Sequence, residues 1–175
     1  MIEARVLPVL TVESADDAER RCRTLLADGY TTVEITFRTD AAAAAIRRAS
    51  GIDGLTVGAG TVLNVDQLHA AIDAGARFAV APSTNPAVIE AAHRAGIAFI
   101  PGAATPTEID RARSLGCDVI KIFPASVVGG PAFIRAVSAV FPGLKFIPTG
   151  GVNAENVADY LALPSVLACG GSWLA

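Results

Sequence analysis

Residues 118–124 read Asp118-Val119-Ile120-Lys121-Ile122-Phe123-Pro124. β-Branched and aromatic residues closed by a proline form the pattern of a short buried β-strand. A lysine stands in its middle. The chain has 12 Arg but only two Lys, so this ammonium is not drawn from a large pool of surface lysines. A charge on a buried strand is costly unless it is paired or neutralised. Burial favours the neutral amine, and a neutral amine is a nucleophile toward carbonyls. Lys121 is therefore the candidate Schiff-base residue.

Outward from this strand the same unit repeats. Short apolar runs occur at 5–10, 31–37, 54–60, 77–81, 97–101, 118–123, 144–149 and 165–170. Ala-rich segments with helical periodicity separate them, at 14–28, 40–50, 64–74, 85–95, 105–115, 130–140 and 153–162. Thr105-Pro106-Thr107-Glu108 is a helix start, with a cap, a proline in the first turn and an acid after it. Gly29, Gly75, Gly96 and Gly116 stand where helix stops belong. Eight strands alternating with seven helices predict parallel β/α units closing into a (β/α)8 TIM barrel, one domain over residues 1–175. The competing doubly wound sheet would carry a glycine fingerprint after its first strand. Here that loop is Leu10-Thr11-Val12-Glu13-Ser14, without glycine. The sequence stops at Trp173-Leu174-Ala175, just past the eighth strand. The barrel is accordingly expected to lack its eighth helix and most of an N-terminal helix plugging the floor. An apolar face at the closure seam is then exposed or covered by a partner.

Composition narrows the function classes. The 175 residues are 52% hydrophobic and 18% charged, with mean hydropathy +0.48, enough for a large core. Net charge is −3, and the arginines are scattered over helices, so no nucleic-acid footprint is present. Cys22, Cys117 and Cys169 are widely spaced, as expected of reduced thiols. Without a signal peptide before Arg5 or an apolar run of membrane-spanning length, the expected location is the cytoplasm, with no membrane partner.

Alternate residues of a barrel strand point inward, and active sites lie at the C-terminal ends of the strands. In the second strand Val33, Ile35 and Phe37 share the helix-facing side, so Glu34 and Arg38 face the barrel or its mouth. In the sixth, Lys121 shares a face with Phe123, opposite Ile120 and Ile122. An acid, a lysine and an arginine at one mouth support imine chemistry: Lys121 attacks a ketone, Glu34 moves protons and Arg38 holds a carboxylate. The alternative is a structural Glu34–Lys121 ion pair filling the barrel. Strand seven runs into Thr149-Gly150-Gly151-Val152 and strand eight into Gly170-Gly171-Ser172. Glycines there let backbone N–H groups approach a phosphate, and these two loops are the usual phosphate site of the barrel. Thr61, after Gly58-Ala59-Gly60, either bonds a substrate carboxylate or caps the next helix. Pro82 and Pro101 stop strands four and five. His69 and His93 fall on outer helices, and no His/Cys cluster suggests a metal. Lys145 opens strand seven, as a solvated end charge.

The stretches VEITFRT (33–39), VGAGTVLN (57–64), KIFPA (121–125), PTGGV (148–152) and GGSW (170–173) together resemble the class I 2-dehydro-3-deoxy-6-phosphogluconate aldolases, also described as 4-hydroxy-2-oxoglutarate aldolases. The resemblance covers nearly the whole chain. It implies a (β/α)8 barrel that assembles as a homotrimer and cleaves a phosphorylated six-carbon keto acid to pyruvate and glyceraldehyde 3-phosphate, without cofactor or metal. It further implies Lys121 as the Schiff-base lysine and Glu34 as the acid/base. Arg38, Thr61 and Pro82 would line the pyruvyl part, with Phe123 beside it. Thr149, Gly150, Gly151, Gly171 and Ser172 would sit at the hydroxyl and phosphate end. The chain departs from the family at Ser83-Thr84-Asn85, where a glycine often follows the proline. Alternatives are an aldolase for the galactonate epimer, a phosphate-binding isomerase or synthase on the same barrel, and an inactive barrel subunit.

Overall fold

The computed structural model describes residues 5–174. Its strands are β1 (Val6–Leu10), β2 (Thr32–Thr36), β3 (Thr56–Gly60), β4 (Phe78–Val80), β5 (Ala98–Ile100), β6 (Gly102–Ala103), β7 (Val119–Ile122), β8 (Lys145–Pro148) and β9 (Cys169–Gly171). Its helices are α1 (Ala15–Ala27), α2 (Ala42–Ala49), α3 (Val65–Asp73), α4 (Pro86–Ala95), α5 (Pro106–Ser114), α6 (Gly130–Val140) and α7 (Val157–Leu161). These elements fall on the alternation read from the apolar runs.

All strand pairings among the described residues are parallel. One sheet has the order β5-β4-β3-β2-β1-β9, the other β6-β7-β8. They join twice. β5 runs into β6 through Pro101, and β8 meets the last segment through the parallel bridges Phe146–Val166 and Thr149–Gly170. The result is a closed barrel in which β5 and β6 form a single stave.

Pro101 therefore does not end the fifth strand, as expected from sequence; it breaks it. Proline lacks an N–H to donate. Its carbonyl still accepts the Lys121 N–H at 2.8 Å, and Gly102 and Ala103 continue in register with Lys121 and Ile122. The last strand also starts later than the apolar run at 165–170 suggests, because Val166 makes only an isolated bridge.

The helix ends follow their local chemistry. Ser14 caps α1 and Asn64 caps α3, each accepting a backbone N–H in the first turn. Thr105 and Glu108 form a reciprocal capping box on α5. Gly96 ends α4 in the left-handed conformation, φ +68°.

The core lies between barrel and helices in two clusters. Val33, Ile35 and Val57 pack with Cys22, Ile46 and Leu68 in the first, and Ile120, Ile122 and Phe146 with Ile109, Ile134 and Tyr160 in the second. Phe99 touches both. Each fully buried aliphatic side chain contributes about 1.5–3 kcal/mol relative to exposure. Strand alternation does the rest. Sending Val33, Ile35, Ile120 and Ile122 out to the helices turns Glu34 and Lys121 into the barrel.

At the closure seam Leu167 is exposed, Trp173 packs on the second cluster and Leu174 on the first. The expected lack of a floor-plugging N-terminal helix, and of a signal peptide, concerns residues 1–4, outside the described residues. Among the described residues no helix is long and apolar enough to cross a membrane.

All three cysteines are free and buried. Burial pushes the Cys22 thiol up to about 11 and the Cys169 thiol to about 12, and raises Cys117 as well. An unfolded thiol ionises near pH 8.5. Above that the folded state holds more protons than the unfolded state, so stability declines as pH rises toward the folded values. Thermal melts should show Tm falling from about pH 9 to about pH 11, and falling less steeply in Cys169→Val. Equal slopes in the two proteins would contradict this origin.

Candidate active site

Lys121 comes from β7 and Glu34 from β2, on opposite walls of the barrel. The Lys121 Nζ lies 3.5 Å from Glu34 Oε1. Lys121 is 4% exposed and Glu34 1%. Two charged side chains thus meet in a water-poor space, where electrostatic interaction is strong and an unpaired ion costly. Nζ also sits 5.6 Å from the centroid of the Phe123 ring.

Room for this pair is made by glycines. A Cβ on Gly60 would stand 2.0 Å from Glu34 Oε1 and 2.6 Å from its Cγ. Gly60 precedes Thr61, so the carboxylate lies against the end of β3. A Cβ on Gly102 would stand 2.2 Å from the carbonyl carbon of Pro82, which brings Pro82 against the residue in register with Lys121. Thr61 thus follows the glycine that the Glu34 carboxylate lies against, and Pro82 packs on the strand paired with that of Lys121. Thr61 is not the cap of α3; that role is Asn64's. Instead Thr61 has φ +57°, a strained conformation for a β-branched residue. Thr36, fully buried on the inward face of β2, shares a 2.9 Å hydroxyl–hydroxyl bond with Thr11.

A cavity of about 230 Å³ opens at the C-terminal ends of the strands, lined by Val9, Arg38, Phe123, Thr149, Gly150, Gly151, Val152, Gly170 and Ser172. Arg38, Phe123 and the two glycine loops therefore meet at one mouth. Arg38 is exposed, and among the described residues it has no ion-pair partner. Gly150 and Gly151 have φ of +92° and +75°, backbone that side chains rarely adopt. Phe123 joins the cavity to the lysine, and Val9, paired in register with Glu34, joins it to the acid. A larger cleft of about 510 Å³ involves Ser50, Thr56, Gly75 and Arg77 at the N-terminal ends of β3 and β4. It contains none of the buried polar groups, so the mouth is the candidate site.

Gly171 does not line the cavity: the space where its Cβ would stand is filled by the Trp173 ring, 2.3 Å away. Its neighbours Gly170 and Ser172 line it instead, as strand alternation requires. At Gly170 the Thr149 Oγ1 would stand 2.3 Å from an added Cβ. Lys145 is exposed at the far end, its ammonium donating to the Pro164 carbonyl at 3.1 Å. His69 and His93 are exposed on α3 and α4. Among the described residues no cluster of three His, Cys, Asp or Glu side chains is placed to hold a metal ion.

The family model for KDPG and KHG aldolase matches residues 1–175. The 2-dehydro-3-deoxy-phosphogluconate aldolase of Treponema pallidum (strain Nichols) is 46% identical over 172 residues, 97% of this chain and 81% of the relative. The 2-keto-3-deoxy-6-phosphogluconate aldolase of Zymomonas mobilis ZM4, solved with 3-phosphoglycerate, is 37% identical and superposes with TM-score 0.95 over 98% of this chain and 82% of that one. The KDPG aldolase of Legionella pneumophila, solved with pyruvate captured at low pH as a covalent carbinolamine intermediate, is 37% identical, with TM-score 0.93 over 98% of this chain and 84% of that one.

Proposed function

Since the chain belongs to the KDPG and KHG aldolase family, we propose that it is a class I aldolase cleaving 2-dehydro-3-deoxy-6-phosphogluconate to pyruvate and glyceraldehyde 3-phosphate. The observation that carries the residue assignment is the buried Lys121–Glu34 pair, 3.5 Å apart, beside a mouth with an arginine and two glycine loops.

The Lys121 amine adds to the C2 ketone to give a carbinolamine, which loses water to become a protonated imine. The C3–C4 bond then breaks. Its electron pair flows into the imine and leaves an enamine in place of a free carbanion. Glu34 takes the C4 hydroxyl proton as the aldehyde departs, and C3 is protonated in return. Water hydrolyses the pyruvyl imine and frees the amine. Arg38 and Thr61 hold the carboxylate, with Pro82 and Phe123 as apolar walls. Thr149, Gly150, Gly151 and Ser172 hold the hydroxyl and phosphate end. The phosphate lies far from the breaking bond, so its binding energy serves to position the substrate. The family resemblance supports a homotrimer, and a cytoplasmic location fits a metabolic lyase.

The test compares substrates. The phosphorylated keto acid should be cleaved with kcat/KM about 10²-fold above 4-hydroxy-2-oxoglutarate, the scale of a lost remote binding group. Pyruvate with borohydride should leave one reduced adduct in the intact mass. No adduct on folded protein would overturn the aldolase reading. Equal efficiency on both substrates would overturn the phosphate assignment.

A further inference from the structure

Thr61 is the one non-glycine residue among those described whose φ lies in the left-handed region. Strain of this kind persists only where the surroundings over-determine it. The surroundings include a set of polar ties. The Val62 N–H donates to the Val80 carbonyl at 3.1 Å. The Leu63 residue is held on both sides: its N–H donates to Gln67 Oε1 at 2.7 Å, and its carbonyl accepts from Asn85 Nδ2 at 3.2 Å. Val62 is fully buried in the first core cluster, but the Leu63 side chain is 46% exposed, so at Leu63 the loop is held by its polar ties.

Asn85 has two separable roles. Its Oδ1 accepts the Ala87 N–H at 3.1 Å and caps α4, while its Nδ2 reaches across to the loop after β3. The rest of its own loop is fixed to the barrel. The Thr84 hydroxyl donates to the Gly102 carbonyl at 2.9 Å, and the Gly102 N–H donates to the Ser83 carbonyl at 3.2 Å. Gly102 is in register with Lys121. A chain of hydrogen bonds thus runs from the stave next to the lysine's through Ser83-Thr84-Asn85 to Leu63, two residues from Thr61.

Building on the aldolase reading, we propose that Asn85 is a positioning residue: its amide N–H clamps Leu63 and so holds Thr61 in the conformation that meets the substrate carboxylate. Asn85→Asp separates the roles. It keeps the oxygen that caps α4 and turns the donor into an oxygen facing the Leu63 carbonyl. Asn85→Ser also caps but cannot span the distance.

The pyruvate concentration for half-maximal borohydride trapping should rise about 10-fold in both variants, the cost of a displaced binding group. The trapping plateau and Tm should stay near wild type. The three-bond coupling between the Thr61 amide and α protons, which reports φ, should change. An unchanged half-saturation overturns the proposal, and so does a rise matched by losses of plateau and Tm. If wild type traps no pyruvate, the aldolase reading falls, and the coupling alone decides the clamp: a change supports it and an unchanged value overturns it.

Discussion

Lys121→Met should abolish covalent capture of pyruvate and lower the cleavage rate by on the order of 10⁴-fold or more, the scale on which an enzyme loses its nucleophile. Methionine keeps most of the side-chain length and its apolar character while removing the amine. No neighbouring lysine can take over, since the other lysine, Lys145, is exposed at the opposite end of the barrel and bonded to the Pro164 carbonyl. The substitution also leaves the Glu34 carboxylate buried without its cation. Breaking a buried pair in this way costs about 3–5 kcal/mol. Inactivity therefore has to be separated from unfolding. The double variant Lys121→Met/Glu34→Gln removes both charges and should melt closer to wild type while still trapping nothing. Intact mass after pyruvate and borohydride, with circular dichroism on the same samples, makes the distinction. An adduct on folded Lys121→Met would place the imine elsewhere.

Much of this arrangement was legible because it follows from alternation. A strand with Val33 and Ile35 on one face has little choice about Glu34, and Ile120 and Ile122 impose the same on Lys121. The order of the elements then brings β2 and β7 to facing walls. What periodicity does not carry is how far a side chain reaches. Gly58 and Gly60 share the parity of the inward residues of β3, in register with Glu34 and Thr36. Their role is absence of volume: one admits the Phe78 ring and the other the Glu34 carboxylate. Inward glycines beside an inward acid are the signal that would have found this. At Gly170-Gly171 a pair of glycines on a strand points to opposite faces, and the Trp173 ring fills the space on the Gly171 side. Pro101 looks like a strand end in sequence because the missing N–H is a local property, whereas the carbonyl that keeps the stave paired is answered from another strand. The left-handed backbone of Thr61 has no local signature either: the Leu63 carbonyl beside it is bonded from Asn85, 22 residues away, beyond any local pattern.

Glu34→Gln should lower kcat for aldol cleavage by about 10²–10⁴-fold, the usual contribution of a positioned acid/base. Pyruvate should still be trapped on Lys121 after long incubation, because the amine remains. The argument rests on position. The carboxylate lies 3.5 Å from Nζ, where the same group can reach a proton on the carbinolamine and on the departing C4 oxygen. Glutamine has nearly the same shape and cannot take that proton. Gly60→Ala approaches the same effect from the outside. Its new Cβ would need the space of Glu34 Oε1, Cγ and Cδ, at 2.0, 2.6 and 2.7 Å, so the acid must leave its place while its chemistry is unchanged. If proton transfer by a correctly placed Glu34 limits turnover, both variants fold, both trap pyruvate and both cleave slowly. Stopped assays of cleavage beside the trapping assay separate the cases. Wild-type turnover in Glu34→Gln would remove Glu34 from the chemistry and leave it a structural counter-ion. Wild-type turnover in Gly60→Ala alone would mean that the carboxylate can act from a second position, and that the glycine serves packing only.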